Sequence, residues 1–195
     1  MTGKVEIVNL ALARLGESPI QSLEEGTVPA NMAKAFYDPA RRAALRDYNW
    51  NFAISTVSLS RLAEEVVGFR FAFALPMDCL RVIRIMEGSD FSGQGPSYAL
   101  RSGKLYTDSE EVTVEYIRDV EDPSEFDDKF IEAFSCKLAS DLAMPVRGSV
   151  ELMANYMNVY NSMIAKAATL SAHEQLAPTG VSDNPYVEAR FYGCD

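Results

Sequence analysis

The chain has 195 residues, with 28 acidic against 18 basic side chains, a formal net charge of −10 and a single histidine. That length suits one domain, or one core with a lobe attached, burying roughly 70% of its unfolded surface. The acidic balance excludes a protein that grips nucleic acid by neutralising phosphates, which takes clustered lysine and arginine.

One histidine also excludes His-pair metal sites and the H-E-x-x-H arrangement. A Ser–His–acid triad would have to use His173, and no G-x-S-x-G accompanies it. No apolar run reaches the roughly 18 residues of a membrane span, and residues 1–12 lack the basic-then-apolar order of a signal peptide. Cys79, Cys136 and Cys194 are odd in number and far apart, fitting neither a disulfide framework nor a zinc spacing. They point to a reducing compartment. No cofactor is expected, and nothing points to a small-molecule enzyme.

Val5, Val8, Leu12 and Leu15 fall at 3–4–3 spacing before Gly16, predicting a short amphipathic helix with a glycine stop. Residues 18–26 read as a loop. Thr27 then caps a second helix, with Pro29 tolerated in its first turn. In it Met32, Phe36, Ala40, Ala44 and Tyr48 recur every fourth residue, and Pro39 is expected to kink it unless Asp38 recaps it. Arg41, Arg42 and Arg46 are assigned to its solvent side.

The period then changes. Phe69, Phe71, Phe73 and Leu75 alternate, as do Val112, Val114 and Tyr116, while residues 80–86 form a short apolar run. Residues 54–59 and 105–107 are weaker strand candidates. Ser102-Gly103 reads as a hairpin turn joining 98–101 to 104–107. Residues 88–96 form a glycine-bearing loop without the GK[ST] ending of a phosphate loop, and Asp90 within it lacks the order of a calcium site.

Helices return after Asp122-Pro123, where Ser124 with Asp127 resembles a capping box. Phe130, Phe134, Leu138 and Leu142 mark a buried stripe ended by Pro145. Ser149 caps a long helix whose Val150, Met153, Met157, Tyr160, Ile164 and Ala167 repeat with period 3.5, as in a bundle. Residues 176–195 carry aromatics without helical period, an arm of the kind ordered by a partner.

The fold class is thus α+β, mainly α. An antiparallel bundle of about four helices (1–50 with 123–175) has a small antiparallel β lobe (51–122) inserted between helices 2 and 3, and an extended C-terminal arm (176–195). The charge is unevenly spread over it. Residues 108–132 hold eleven acids against Arg118 and Lys129, a net of −9, and the rest is close to neutral. In a monomer this is a solvated face with a helix N-terminus. Around a ring axis it would make a wall that repels DNA phosphates. The adjacent acid pairs point apart along helix or strand and make poor acid/base couples.

Several stretches together resemble one family. Residues 7–20, IVNLALARLGESPI, and 22–27, SLEEGT, resemble the opening of phage tail tubular protein A, the head-to-tail adaptor of short-tailed phages. Tyr37-Asp38, Ala40-Arg41, Leu45 and Trp50-Asn51-Phe52-Ala53 are similar to that family's helix ending in W-N-F-A. Residues 73–83, FALPMDCLRVI, resemble its Y-x-L-P-x-D-C-L-R stretch, with Phe73 where tyrosine is usual. Tyr116-Ile117, 126–130 and 138–156 follow in the family's order.

The resemblance implies a non-enzymatic virion protein at the head–tail junction, present in the host cytoplasm during assembly. It implies a dodecameric ring on the portal, with the protein free to be a monomer beforehand. Its partners would be the portal and the tail nozzle protein, with genomic DNA passing through unbound and no membrane involved. Portal and subunit contacts are expected at Tyr186, Phe191 and Tyr192 of the arm and at Arg41, Arg42 and Arg46. Asp108, Glu110, Glu111, Glu115, Asp119, Glu121 and Asp122 are expected to line the channel. Trp50 and Phe52 are expected in the core. The competing readings are a small helical protein–protein interaction module and a phage-associated cell-wall hydrolase.

Overall fold

A computed structural model describes residues 3–63, 68–87 and 97–175. Four helices, α1 (Lys4–Arg14), α2 (Val28–Asp47), α3 (Asp128–Leu142) and α4 (Val150–Gln175), form one core, and two small antiparallel sheets are inserted in sequence between α2 and α3. The expected α+β class, mainly helical with antiparallel strands, is what the chain adopts. The loop at 88–96 with Asp90, the Glu64-Glu65 pair and the arm 176–195 lie outside the described residues.

One sheet has the order β1–β7–β4, from β1 (Ile54–Ser58), β4 (Cys79–Glu87) and β7 (Val112–Arg118). The other is ordered β2–β3–β6–β5, from β2 (Arg61–Leu62), β3 (Phe71–Ala74), β5 (Tyr98–Arg101) and β6 (Lys104–Thr107). Alternation along β7 turns Val112, Val114 and Tyr116 toward Phe71, Phe73 and Leu105, the core of the β lobe. Ile117, of the opposite parity, joins the helical core instead. The three-stranded sheet is therefore a wall shared by two cores.

The helical core is centred on α3, whose Phe130, Phe134, Leu138 and Leu142 are fully buried. α1 lays Ile7, Val8, Ala11 and Leu12 against it, and Gly16 follows at φ +72° as the residue free to take the left-handed turn. The loop after α1 is held by Asn9, whose side-chain amide donates to the Ile20 carbonyl (3.0 Å) and accepts from the Ile20 amide (2.8 Å).

Several local expectations are corrected. α2 continues as one helix through Pro39, so Asp38 does not recap it there, and Pro39 lies on the exposed side, where the carbonyl it leaves without a helical partner also faces water. Its buried stripe is Ala30, Ala33, Tyr37, Ala40-Arg41 and Ala44-Leu45, while Phe36 is exposed. A four-residue spacing drifts about 40° per step on a helix of 3.6 residues per turn, so the expected row wandered off the core face. α3 starts at Asp128 rather than Ser124, because Asp122 caps a separate 3₁₀ turn (Pro123–Glu125) and the Asp127 carboxylate accepts from the Phe130 amide at 2.6 Å. In α4 the expected Met157, Tyr160 and Ile164 do pack on the core, together with Leu152, Tyr156, Val159 and Met163, while Val150 and Met153 are exposed.

The Ser102-Gly103 hairpin forms as expected, with φ of 51° and 72° and Arg101 paired to Lys104, the two-residue turn that suits strand twist. A Cβ added to Gly103 would meet nothing within 4 Å, so only backbone strain opposes it. Gly103→Ala is expected to cost about 1–2 kcal/mol in urea unfolding.

Candidate functional site

The residues that carry the family resemblance meet at the joint between bundle and sheets. α2 ends where Tyr48 turns extended, and Trp50 folds back so that its indole N–H donates to the Ala44 carbonyl at 2.9 Å. Its ring packs edge-on against Phe130 at 5.1 Å, and Phe52 meets Phe130 at 5.2 Å and Phe126 at 5.7 Å. Trp50 is 3% exposed and Phe52 half-buried, as expected for core residues. A guanidinium N–H of Arg118, at the end of β7, donates to the Phe52 carbonyl at 3.2 Å, tying sheet to helix.

The L-P-x-D-C-L-R stretch supplies the second tie. Asp78 in the β3–β4 turn takes a hydrogen bond from the Tyr116 hydroxyl on its carboxylate (3.3 Å) and one from the Asp119 amide on its carbonyl (2.7 Å). Arg41 supplies the third. Its guanidinium reaches from α2 to the Asp119 carboxylate and the Val120 carbonyl, with Asp38 one turn away at 3.4 Å.

Arg41 therefore departs from the expected placement. It is 2% exposed and belongs to the buried stripe, so it is not a surface contact in this chain. Its charge is held in the interior because Asp119 and a backbone carbonyl meet it. Arg42 and Arg46 do lie on the exposed side of α2 and have no ion pair among the described residues. Tyr186, Phe191 and Tyr192 lie outside the described residues.

The acidic band is more heterogeneous than its composition suggests. Asp119 is committed to Arg41, and Glu115, 17% exposed at its side chain, pairs with Arg84 at 2.7 Å. These two expected channel residues thus bring a local countercharge with them and do not contribute free negative charge. Glu125 pairs with Arg118. The Asp122 carboxylate caps the 3₁₀ turn, and hydrogen bonds from Ser124 hold its pKa below the usual carboxylate range. Asp108 accepts from the Arg70 amide at 2.9 Å. Glu110, Glu111 and Glu121 are exposed without an ion pair among the described residues, as are Asp128 and Glu132 on α3.

Beside the joint opens a cleft of about 800 Å³, lined by Asp47, Tyr48, Asn49, Asn51, Arg81, Arg84 and Glu115 among others, with Ala168 of α4 on its rim. The Tyr48 hydroxyl donates to the Ala167 carbonyl (3.1 Å), and the Tyr160 hydroxyl to the Asp47 carboxylate (2.7 Å). Burial, with Asp47 beside it, pushes the Tyr160 phenol far up, keeping it a donor. Arg81 gives one hydrogen bond, to the Asn49 side-chain oxygen, while its Nε is shielded from solvent without an acceptor.

Sequence reasoning missed Asn9, Asp78 and Arg81 as structural actors. The signal for Arg81 was present: a cation inside the apolar run 80–86 has to be met by something across the fold.

Among the described residues no three of His, Cys, Asp and Glu gather where they could hold a metal, and no helix is long and apolar enough to cross a membrane. Compared with known proteins, the chain matches no family model and no curated protein.

Proposed function

We propose that this chain is a non-enzymatic structural virion protein, a head-to-tail adaptor that forms a ring joining the portal to the tail and conducts DNA during ejection. The observation that carries the reading is the joint. The stretches that resemble tail tubular protein A, from the second helix, the W-N-F-A turn, the L-P-x-D-C-L-R turn and residues 116–130, converge there on Arg41, Trp50, Asp78 and Phe130. Segments far apart in sequence thus form one mechanical unit, fixing the β lobe's orientation on the bundle. An adaptor that presents one end to the portal and another to the nozzle needs such a fixed angle.

The charge pattern supports the same reading in narrower form. Glu110, Glu111 and Glu121, with Asp108 and Asp122, supply the negative surface of the conduit, while Glu115 and Asp119 serve structure. The aromatic arm, through Tyr186, Phe191 and Tyr192, seats on the portal, since buried aromatics dominate interface energetics.

The test is to mix purified protein with the cognate portal ring and image the product by electron microscopy. A collar of twelve added copies is expected. A bare portal, or cleavage of peptidoglycan by the protein in a zymogram, would defeat the reading.

A further inference from the structure

Among the described residues β1 and β5 are end strands, each hydrogen-bonded to a neighbouring strand on one side only. The Leu59 amide donates to the Val112 carbonyl at 2.8 Å, so alternation turns the backbone groups of Thr56 and Ser58 away from β7. The two-residue turn makes Arg101 and Lys104 a hydrogen-bonded pair, which turns those of Tyr98 and Leu100 away from β6. Open edges are a hazard that proteins ordinarily blunt with bulges, charges, proline or shortness. β4, at the other end of the three-stranded sheet, is blunted: its register shifts twice, and it carries Arg81, Arg84 and Glu87. β2, at the other end of the four-stranded sheet, is two residues long. β1 and β5 have no such guard. Residues 54–60, ISTVSLS, and 97–100, SYAL, hold neither charge nor proline, and the one charge of β5, Arg101, stands at its turn.

The same two edges leave the lobe's core unfinished. Val57 stands opposite Val114, Leu100 opposite Leu105 and Tyr98 opposite Thr107, so all three lie on the faces that build that core. Their partners are buried, yet Val57, Leu100 and Tyr98 are 36%, 43% and 46% exposed. Apart from Met77 in the β3–β4 turn, they are the large apolar side chains that the described part of the lobe exposes. An apolar core that runs out past an open edge on either side has the form of an interface cut in half.

We infer that the β1 edge of one copy takes the β5 edge of a second copy of this chain, by backbone pairing with Val57 packed beside Tyr98 and Leu100. The occupant is the chain itself because every copy carries both halves of the joint. Each joint uses one β1 and one β5, two different surfaces, so it propagates from copy to copy, and a closed ring leaves neither edge over. Charge agrees with this choice. At −10 per chain, copies repel at a distance, and the least costly place to join is where both surfaces are uncharged. The inference rests on the ring reading for its setting, and names the strands through which neighbouring copies join.

The experiment uses the full chain with cognate portal rings and reads collar occupancy by electron microscopy against protein concentration, with thermal unfolding as the check on folding. Val57→Lys and Leu100→Lys, which put a guard charge on either edge, are each expected to raise the concentration needed for full collars by about tenfold or more. Thr56→Pro removes an outward amide and leaves the bonds to β7 in place, and is expected to act in the same direction. Met77→Lys adds the same charge at an apolar position that is fully exposed but off both edges, and is expected to leave the concentration unchanged.

Full collars at wild-type concentration from folded Val57→Lys, Leu100→Lys or Thr56→Pro would overturn the inference. So would an equal loss in Met77→Lys, which would make the effect one of added charge and not of the edges. Loss confined to one edge would assign that edge to the portal or another partner, and equally overturns it. Wild type leaving the portal bare would remove the adaptor reading itself, and the inference with it.

Discussion

Arg41→Ala is expected to destabilise the chain by about 3–5 kcal/mol, read as a lower urea midpoint with unchanged slope. The loss of the aliphatic stem is the smaller part. Arg41 is 2% exposed, and its removal leaves the Asp119 carboxylate, 18% exposed at its side chain, without its cation. The Val120 carbonyl loses a donor at the same time. Breaking one side of a buried pair costs far more than replacing both sides. The double variant Arg41→Met/Asp119→Asn is therefore expected to recover much of the loss. A single variant as stable as wild type would mean that water, not Arg41, satisfies Asp119.

Phe130→Ala is expected to cost about 3–5 kcal/mol as well, through lost burial and the cavity left behind. Phe130 is the hub of the joint. Its ring lies 4.8 Å from Phe126, 5.1 Å from Trp50, 5.2 Å from Phe52 and 5.6 Å from Phe134. No neighbour can fill the space alone without leaving its own contacts, because Trp50 is also tethered to the Ala44 carbonyl. The only tryptophan thus reports on the cavity. Its fluorescence and near-ultraviolet dichroism are expected to change in the folded variant, whereas Phe36→Ala, on the exposed side of α2, should leave both signals and stability nearly unchanged.

What was legible in the sequence follows from how local each signal is. The strands announced themselves because alternation is a nearest-neighbour property: Val112, Val114 and Tyr116 are buried, and Thr113 and Glu115 between them only half-buried, whatever they pack against. The Thr27 cap and the Ser102-Gly103 turn were readable for the same reason, since each is decided within four residues. Arg41 was not. Its burial depends on Asp119, 78 positions later, and a guanidinium on a helix defaults to water unless such a partner arrives. Asp78 was hidden likewise, since its role comes from the Tyr116 hydroxyl and the Asp119 amide across the fold.

The acidic band shows the reverse error, a composition signal taken as one surface. Its eleven acids are divided among helix and turn caps, ion pairs and free surface, which a running charge count cannot separate. Asp127, counted as wall charge, is spent holding the first turn of α3. The resemblance was legible as ordered fragments, and the fold gives those fragments a common location.

Sharing β7 between two cores has a consequence for cooperativity. Opening the β lobe would strip Val114 and Tyr116 from one side of that strand, and loosening the bundle would strip Ile117 from the other. Either event breaches the central strand of a three-stranded sheet, which has hydrogen-bonded neighbours along both edges. Loss of either core therefore weakens the other through β7, and the two are expected to unfold with coincident midpoints when followed by tryptophan fluorescence and by far-ultraviolet dichroism.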